Sequence, residues 1–126
     1  MKHSPGFLAI VERSKARVPE VTIAQVQARL AAGAGIRLVD VREDCEWEAG
    51  RIAGAEHLGK GVIERDIEGA IPDKDAEIVL YCGGGYRSLL AGDALQQMGY
   101  TNVASMAGGW RGWLEVGGRT EGAGGG

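Results

Sequence analysis

A cysteine and a glycine-rich loop stand at the end of an apolar run. The run 78–81 is followed at once by Cys82, three glycines, and an arginine and a serine that begin a helical pattern. Successive apolar positions are typical of a strand buried on both faces, and ligands in open α/β sheets bind at the carboxyl ends of such strands. Glycines permit a tight turn with positive φ angles, whose N–H groups can form a nest for an anion. The segment therefore predicts an anion-binding loop around Cys82.

The anion that this loop would hold is the cysteine sulfur itself. A free thiol has a pKa of about 8.5, and helix N-termini or nearby cations favour the nucleophilic thiolate. A helix dipole alone contributes about 0.3–1 kcal/mol, so the loop N–H groups and Arg87 must add to it. We therefore predict that Cys82 is a thiolate nucleophile at neutral pH. The competing interpretation is a small buried cysteine beside a glycine turn, which the ordered strand, cysteine, glycines, arginine and helix disfavour.

The elements that must position this loop alternate along the chain. Helical spacing of apolar residues recurs at 5–17, 23–30, 43–49, 88–98 and 110–115, and strand patterns lie at 36–41, 54–58, 77–81 and 102–106. Thr22 and Gln25 form a capping box in front of the second helix, whereas residues 62–69 fit either type of element. Such alternation predicts an α/β domain with a mostly parallel central sheet flanked by helices on both faces.

Composition excludes several classes of function. The 126 residues carry 14 basic and 17 acidic side chains, a net charge of −3, which argues against a nucleic-acid-binding face or a polybasic membrane anchor. No apolar run approaches about 18 residues, and the run 7–11 is too short for a secretory signal, so we expect a cytoplasmic protein without a membrane partner. Two cysteines and two histidines, His3 and His57, lack metal-ligand spacing, so we expect no metal. We expect residues 1–19 to form a helical extension and the glycine-rich residues 117–126 a flexible tail.

Three segments in order carry a resemblance to a known family. The first runs from Leu38 to Glu43 and continues as Glu-Trp-Glu-Ala-Gly-Arg-Ile-Ala-Gly-Ala at 46–55, the second is the loop 82–88, and the third is Ser-Met-Ala-Gly-Gly-Trp-Arg-Gly-Trp at 105–113. Together they resemble the rhodanese (thiosulfate sulfurtransferase) superfamily over about residues 20–115, so we expect a rhodanese-like domain at 20–116. Cys45 stands where that family often has proline, and we interpret it as a bystander on a short helix.

The resemblance implies a reaction and a set of site residues. Cys82 would attack the outer sulfur of a donor such as thiosulfate, and the resulting persulfide would pass its sulfur to cyanide, a small thiol or a thiol protein, without a cofactor. Asp40 and Arg42 would form a structural pair beneath the site. Arg87 would either attract the anionic end of the donor or pair with an internal carboxylate. The residues expected to bind substrate are those of the loop: Gly83, Gly84, Gly85, Tyr86, Arg87 and Ser88.

Two other functions stay open at this point. Phosphatase relatives of the family have five residues between cysteine and arginine, whereas Cys82 and Arg87 are separated by four, which makes a tighter loop suited to a single sulfur atom. Phosphoryl transfer spreads charge over three oxygens and needs a wider ring of donors, so we disfavour a phosphatase. The loop has no lysine or second arginine among its middle residues, which keeps a sulfur carrier that serves a dedicated partner protein as the main alternative.

Overall fold

A computed structural model describes residues 3–122 of the chain. The helices in these residues are α1 Pro5–Lys15, α2 Ile23–Ala31, α3 Asp44–Ala49, α4 Ile63–Ala70, α5 Tyr86–Gln97 and α6 Gly109–Glu115. The strands are β1 Glu20–Val21, β2 Arg37–Asp40, β3 Arg51–Ile52, β4 Glu56–His57, β5 Ile78–Tyr81, β6 Val103–Met106 and β7 Thr120–Glu121. None of these helices is long and apolar enough to cross a membrane.

Five of the strands form one parallel sheet in the order β1-β6-β5-β2-β4. Strand β5 lies at its centre, with Val79 opposite Leu38 of β2 on one side and Ala104 of β6 on the other. The predicted α/β fold with a mostly parallel sheet is confirmed. Because Cys82 directly follows β5, it lies at the carboxyl edge of the central strand.

The uninterrupted apolar run of β5 is explained by helices on both faces. Ile78 and Leu80 face one core with Ile63 and Ile67 of α4 and residues of α5. Val79 and Tyr81 face a second core with residues of α2 and α6, including Trp113. A strand covered on both sides has no position for an exposed polar side chain. The prediction of helices on both faces is therefore confirmed.

Local signals account for the elements that frame the sheet. Thr22 accepts a hydrogen bond from the backbone N–H of Gln25, whose side chain accepts one from the N–H of Thr22, so the predicted capping box starts α2. The ambiguous segment 62–69 is helix α4. Its Ile63 and Ile67, four residues apart, are both fully buried, which fits one face of a helix.

The N-terminal extension is packed onto the domain. Phe7 and Val11 of α1 contact a small core with Val18 and Leu89. The buried Ser14 hydroxyl donates to Asp93 of α5 at 2.9 Å. The helix predicted in this region is therefore present, and it lies against α5, the helix that begins at the cysteine loop.

The C-terminal segment differs from its predicted conformation. Strand β7 pairs antiparallel with β3, and the carbonyl oxygen of Arg119 accepts hydrogen bonds from the N–H of Ala53 and from Trp113 Nε1, each at 3.0 Å. The prediction of a flexible tail from residue 117 is wrong for this stretch, because partners far away in the sequence satisfy its backbone groups. Residues 123–126 of the predicted tail lie outside the described residues.

Candidate active site

Cys82 lies at the bottom of the predicted loop with its side chain almost entirely buried. Only 1% of its surface is exposed. Its Sγ accepts a hydrogen bond from the backbone N–H of Gly85 at 3.1 Å and lies 3.6 Å from Ser88 Oγ. The cysteine thus stands where the sequence placed it, at the end of a buried strand with a donor from the glycine loop.

The loop backbone uses fewer left-handed residues and fewer inward amides than a three-glycine loop permits. Of the three glycines, Gly85 has a positive φ, +119°, and it is the N-cap of α5. Gly83 and Gly84 do not have positive φ angles, so the freedom that glycine permits is used at one position of the loop, where a single left-handed residue turns the strand into the helix. The sequence predicted that several backbone amides of the loop point at the sulfur. Within residues 3–122, the backbone amide that donates to Sγ is that of Gly85.

The carbonyl groups of the loop are held on the opposite side by α6. The N–H of Trp110 donates to the carbonyl oxygen of Cys82 at 2.8 Å, and the N–H of Arg111 donates to that of Gly83 at 3.1 Å. Gly109 allows this close approach, since a Cβ there would lie 2.3 Å from the carbonyl oxygen of Cys82. Because these oxygens face α6, they do not face the sulfur, which keeps negative charge away from the thiol.

Arg87 adopts the second of its two expected arrangements and pairs with a carboxylate. Its Nη1 and Nη2 donate to the two carboxylate oxygens of Glu46 in α3, at 2.9 and 3.2 Å. Hydrogen bonding to Arg87 is the main reason why the pKa of Glu46 is lowered. The pKa of Arg87 is raised chiefly by Glu46, with a smaller contribution from Cys82. The guanidinium is thus fixed beside the sulfur by a residue that sequence analysis did not single out.

Asp40 and Arg42 form the buried pair that the sequence predicted. Arg42 Nε and Nη2 donate to the Asp40 carboxylate at 2.8–3.0 Å, and both side chains are at most 3% exposed. Arg42 also donates to the carbonyl oxygen of Gly50 at 2.7 Å and stacks 4.7 Å from the Trp110 ring. The pair links β2 to the start of α6, so its contacts are structural.

Ser88 connects the sulfur to a second buried hydroxyl. Its Oγ donates to the carbonyl oxygen of Gly85 at 3.2 Å and lies 2.7 Å from Ser105 Oγ. Both serines are completely buried. Ser105, on the neighbouring strand β6, was not among the predicted site residues, and it holds the Ser88 hydroxyl under the loop.

A pocket of about 940 Å³ opens above the sulfur. Tyr86, 40% exposed, lies on its wall. The pocket also contains Arg111, a cation that the sequence analysis missed because it belongs to α6 and not to the loop. In the described residues, no group of three or more His, Cys, Asp or Glu side chains could hold a metal ion. The residues around the pocket are His3, Phe7, Cys82, Gly84, Tyr86, Arg87, Gly108, Arg111, Gly112 and Glu115.

Comparison with known protein families identifies the family to which this chain belongs. The family model of the rhodanese-like domain matches residues 22–116. The chain belongs to the rhodanese-like family. The resemblance inferred from the three sequence segments is therefore confirmed, and the match includes the cysteine loop, Glu46 and Arg111. Helix α1, with Phe7, lies outside the matched residues.

Relatives of this rhodanese-like chain carry more than one suggested function. Thiosulfate sulfurtransferase GlpE of Pseudomonas aeruginosa is 33% identical over 75% of this chain and 84% of GlpE. YrkF of Bacillus subtilis, proposed to be a sulfur carrier protein, is 27% identical over 82% of this chain. The chain spans about half (54%) of the length of YrkF and a smaller share of some other relatives. The solved structure of RPA3614 from Rhodopseudomonas palustris, suggested to be a tyrosine phosphatase, has 30% identity, a TM-score of 0.86, and coverage of 96% of this chain and 98% of that one.

Proposed function

We propose that this rhodanese-like protein is a sulfurtransferase that carries a sulfane sulfur on Cys82. The observation that carries the proposal is the Cys82 sulfur, which accepts the Gly85 N–H at 3.1 Å and lies at the floor of an open pocket. A sulfur atom with a backbone donor and a nearby guanidinium can bear negative charge both as a thiolate and as a persulfide. Family membership supports the same chemistry.

The first half of the reaction would load the sulfur. The Cys82 thiolate attacks the outer sulfur of thiosulfate, a bond forms between Sγ and that sulfur, and the sulfur–sulfur bond of thiosulfate breaks. The electron pair of the broken bond leaves with sulfite, and a persulfide anion stays on Cys82. The Ser88 hydroxyl, which donates to the Gly85 carbonyl oxygen, can rotate to donate to this anion.

The second half would pass the sulfur on. Cyanide or a thiolate attacks the outer sulfur of the persulfide, the Sγ–S bond breaks, and its electron pair returns to Sγ as the thiolate. In the thiolate state, before loading and after release, Sγ accepts the backbone N–H of Gly85, whereas in the persulfide the negative charge lies on the outer sulfur, to which the Ser88 hydroxyl can donate.

Arg111 adds a positive charge over the middle residues of the loop, 83–86, which have none of their own. A Cβ on Gly84 would lie 2.6 Å from Arg111 Nη2, so the guanidinium lies directly over the loop. Cations at such a position attract anionic donors and stabilise them by charge-assisted hydrogen bonds. The absence of a basic residue in the middle of the loop therefore does not argue against thiosulfate as the donor.

The second candidate is a sulfur carrier that loads Cys82 and releases the sulfur only to a partner protein. The similarity to YrkF favours this candidate. A carrier and an enzyme share the loading step and differ in the second one, so a small acceptor distinguishes them.

A panel of donors and acceptors tests the proposal. The protein is incubated with thiosulfate and cyanide, thiocyanate and sulfite are measured, and hydrolysis of a phosphotyrosine peptide is measured in parallel. We expect thiocyanate formation that Cys82→Ser abolishes, whereas Cys45→Ser, a cysteine on the exposed surface of α3, retains it. Loading without turnover would favour the carrier, and phosphate release without sulfur transfer would overturn the proposal in favour of a phosphatase.

A further inference from the structure

The pocket above Cys82 is larger than the proposed small substrates need. Its volume, about 940 Å³, is at the upper end of the range of about 300–1,000 Å³ typical of sites for drug-sized ligands. Thiosulfate or cyanide would fill only a small part of it beside the sulfur. The remaining walls therefore have room for the body of a larger sulfur compound.

One wall of this pocket is aromatic and is built partly by the N-terminal helix. His3, Phe7 and Tyr86 form a cluster that we call the aromatic wall, with ring centroids 5.0 Å apart for His3 and Tyr86, 5.1 Å for His3 and Phe7 and 6.0 Å for Phe7 and Tyr86. Tyr86 starts the helix that follows the cysteine loop. His3 and Phe7 precede the rhodanese-like residues 22–116, so this wall is added to the domain by the extension.

The other wall carries charge. Arg111 donates through Nε to the carbonyl oxygen of Gly83 at 3.4 Å, and no ion pair engages its guanidinium within residues 3–122. Arg87, by contrast, is paired with Glu46. Glu115, one helical turn beyond Arg111, lies on the same wall and limits the positive charge to the part of the pocket near the loop. Arg111 is thus the cation available to a ligand carboxylate.

We propose that the sulfur acceptor is an organic thiol that carries a carboxylate and an apolar body. This proposal rests on the proposed sulfur transfer and adds the class of its second substrate. The thiolate reaches the persulfide at Cys82, the carboxylate pairs with Arg111, and the carbon skeleton packs on Phe7 and Tyr86. The aromatic wall and Arg111 thereby determine specificity, because they contact parts of the acceptor that cyanide does not have.

The transfer to such an acceptor balances without another reactant. The acceptor thiolate attacks the outer sulfur of the Cys82 persulfide and forms a new sulfur–sulfur bond with it. The Sγ–S bond breaks and its electron pair stays on Sγ. The products are the Cys82 thiolate and the persulfide anion of the acceptor.

Four acceptor thiols separate the contributions of charge and apolar body: 2-mercaptoethanol, 3-mercaptopropionate, phenylmethanethiol and 4-(mercaptomethyl)benzoate. With thiosulfate as donor, we expect the highest kcat/KM for 4-(mercaptomethyl)benzoate. Phe7→Leu keeps an apolar side chain in the α1 core. It should lower the ratio of kcat/KM for 4-(mercaptomethyl)benzoate to that for 3-mercaptopropionate by about fivefold. Arg111→Gln should lower the preference for anionic over neutral thiols by about tenfold.

Matched control variants lie on α1 away from the pocket. Leu8→Ala and Arg13→Gln replace exposed residues of the same helix that do not line it, and both should leave the two preferences unchanged. Equal kcat/KM for all four thiols, or preferences that Phe7→Leu and Arg111→Gln leave intact, would overturn the proposal while the proposed sulfur transfer stands.

A second measurement examines the pocket independently of sulfur transfer. In the Cys45→Ser protein, the rate at which Cys82 is alkylated by iodoacetamide is compared with that for 4-(iodoacetamido)benzoate, each relative to free cysteine. We expect a preference for the benzoate that Phe7→Leu and Arg111→Gln reduce. This result without sulfur transfer would support the pocket specificity and count against the proposed function, whereas no preference would count against the specificity alone.

Discussion

Replacing Gly109 by alanine tests how α6 holds the cysteine loop. Gly109 has φ +53°, a left-handed conformation that costs an alanine about 1–2 kcal/mol. Its new Cβ would also lie 2.3 Å from the carbonyl oxygen of Cys82 and 2.9 Å from that of Gly83. Both atoms are backbone, so the start of α6 must move, and the hydrogen bonds from the N–H groups of Trp110 and Arg111 are lost.

The expected loss of stability follows from these contacts. Two backbone hydrogen bonds contribute about 0.5–1.5 kcal/mol each, which together with the left-handed conformation gives about 2–5 kcal/mol. This is a large fraction of the 5–15 kcal/mol typical of a domain. Urea unfolding measures the change in the free energy of unfolding, and thiocyanate formation at a temperature where the variant is folded should fall about ten- to hundredfold because the loop is displaced.

Gly69→Ala is the matched control for this variant. Gly69 lies in α4, where a Cβ would meet nothing within 4 Å, so alanine there should stabilise the protein by up to about 1 kcal/mol and leave the transfer rate unchanged. If Gly109→Ala unfolds at the urea concentration of the native protein and transfers sulfur at its rate, the inference that α6 positions the loop carbonyls is refuted.

Two further predictions concern carboxylates with lowered pKa values. Glu46→Gln should remove about 0.5 kcal/mol of stability above pH 5, since the pair with Arg87 is one-third exposed. A carboxylate with a lowered pKa stabilises the folded protein above its ordinary pKa, and this contribution is lost on acidification. The urea midpoints of the native protein and the variant should therefore converge below pH 4, and a difference that stays constant with pH would contradict this. The pKa of Asp93 is lowered first by the hydrogen bond from Arg17 and further by that from Ser14, so acid should loosen α1 before the sheet unfolds. The protection factors of the α1 amides, which compare exchange with the intrinsic rate at the same pH, should therefore fall below pH 4 in the native protein and already at pH 7 in Asp93→Asn. Equal protection of α1 in both proteins at pH 7 would contradict the role of Asp93.

Local patterns in the sequence were sufficient for four strands of the parallel sheet, β2, β4, β5 and β6, and for the position of Cys82, whereas the two-residue edge strand β1 was not predicted. An apolar run of strand length, a cysteine, glycines and a helix start are all adjacent along the chain, and their order places Cys82 at the carboxyl edge of β5. The capping box at Thr22 depends on residues three positions apart and was predictable for the same reason.

Contacts between distant elements were not predictable in this way. Glu46, which holds Arg87, lies 41 positions away from it, and Arg111 reaches the loop from another helix. Strand β7 has only two residues in a glycine-rich stretch, so its sequence gave no strand pattern. Each of these features depends on how helices and strands pack in space, which spacing along one segment does not encode.

The most direct test of the account is the mass of the protein after incubation with thiosulfate. Intact-protein mass spectrometry followed by peptide mapping should find one added sulfur atom on the peptide that contains Cys82, with release of an equal amount of sulfite. Cys45→Ser should gain the same mass, and Cys82→Ser should gain none. No added sulfur on Cys82 with any sulfane donor, or an added sulfur confined to Cys45, would contradict the claim that the loop holds a sulfur-carrying thiolate.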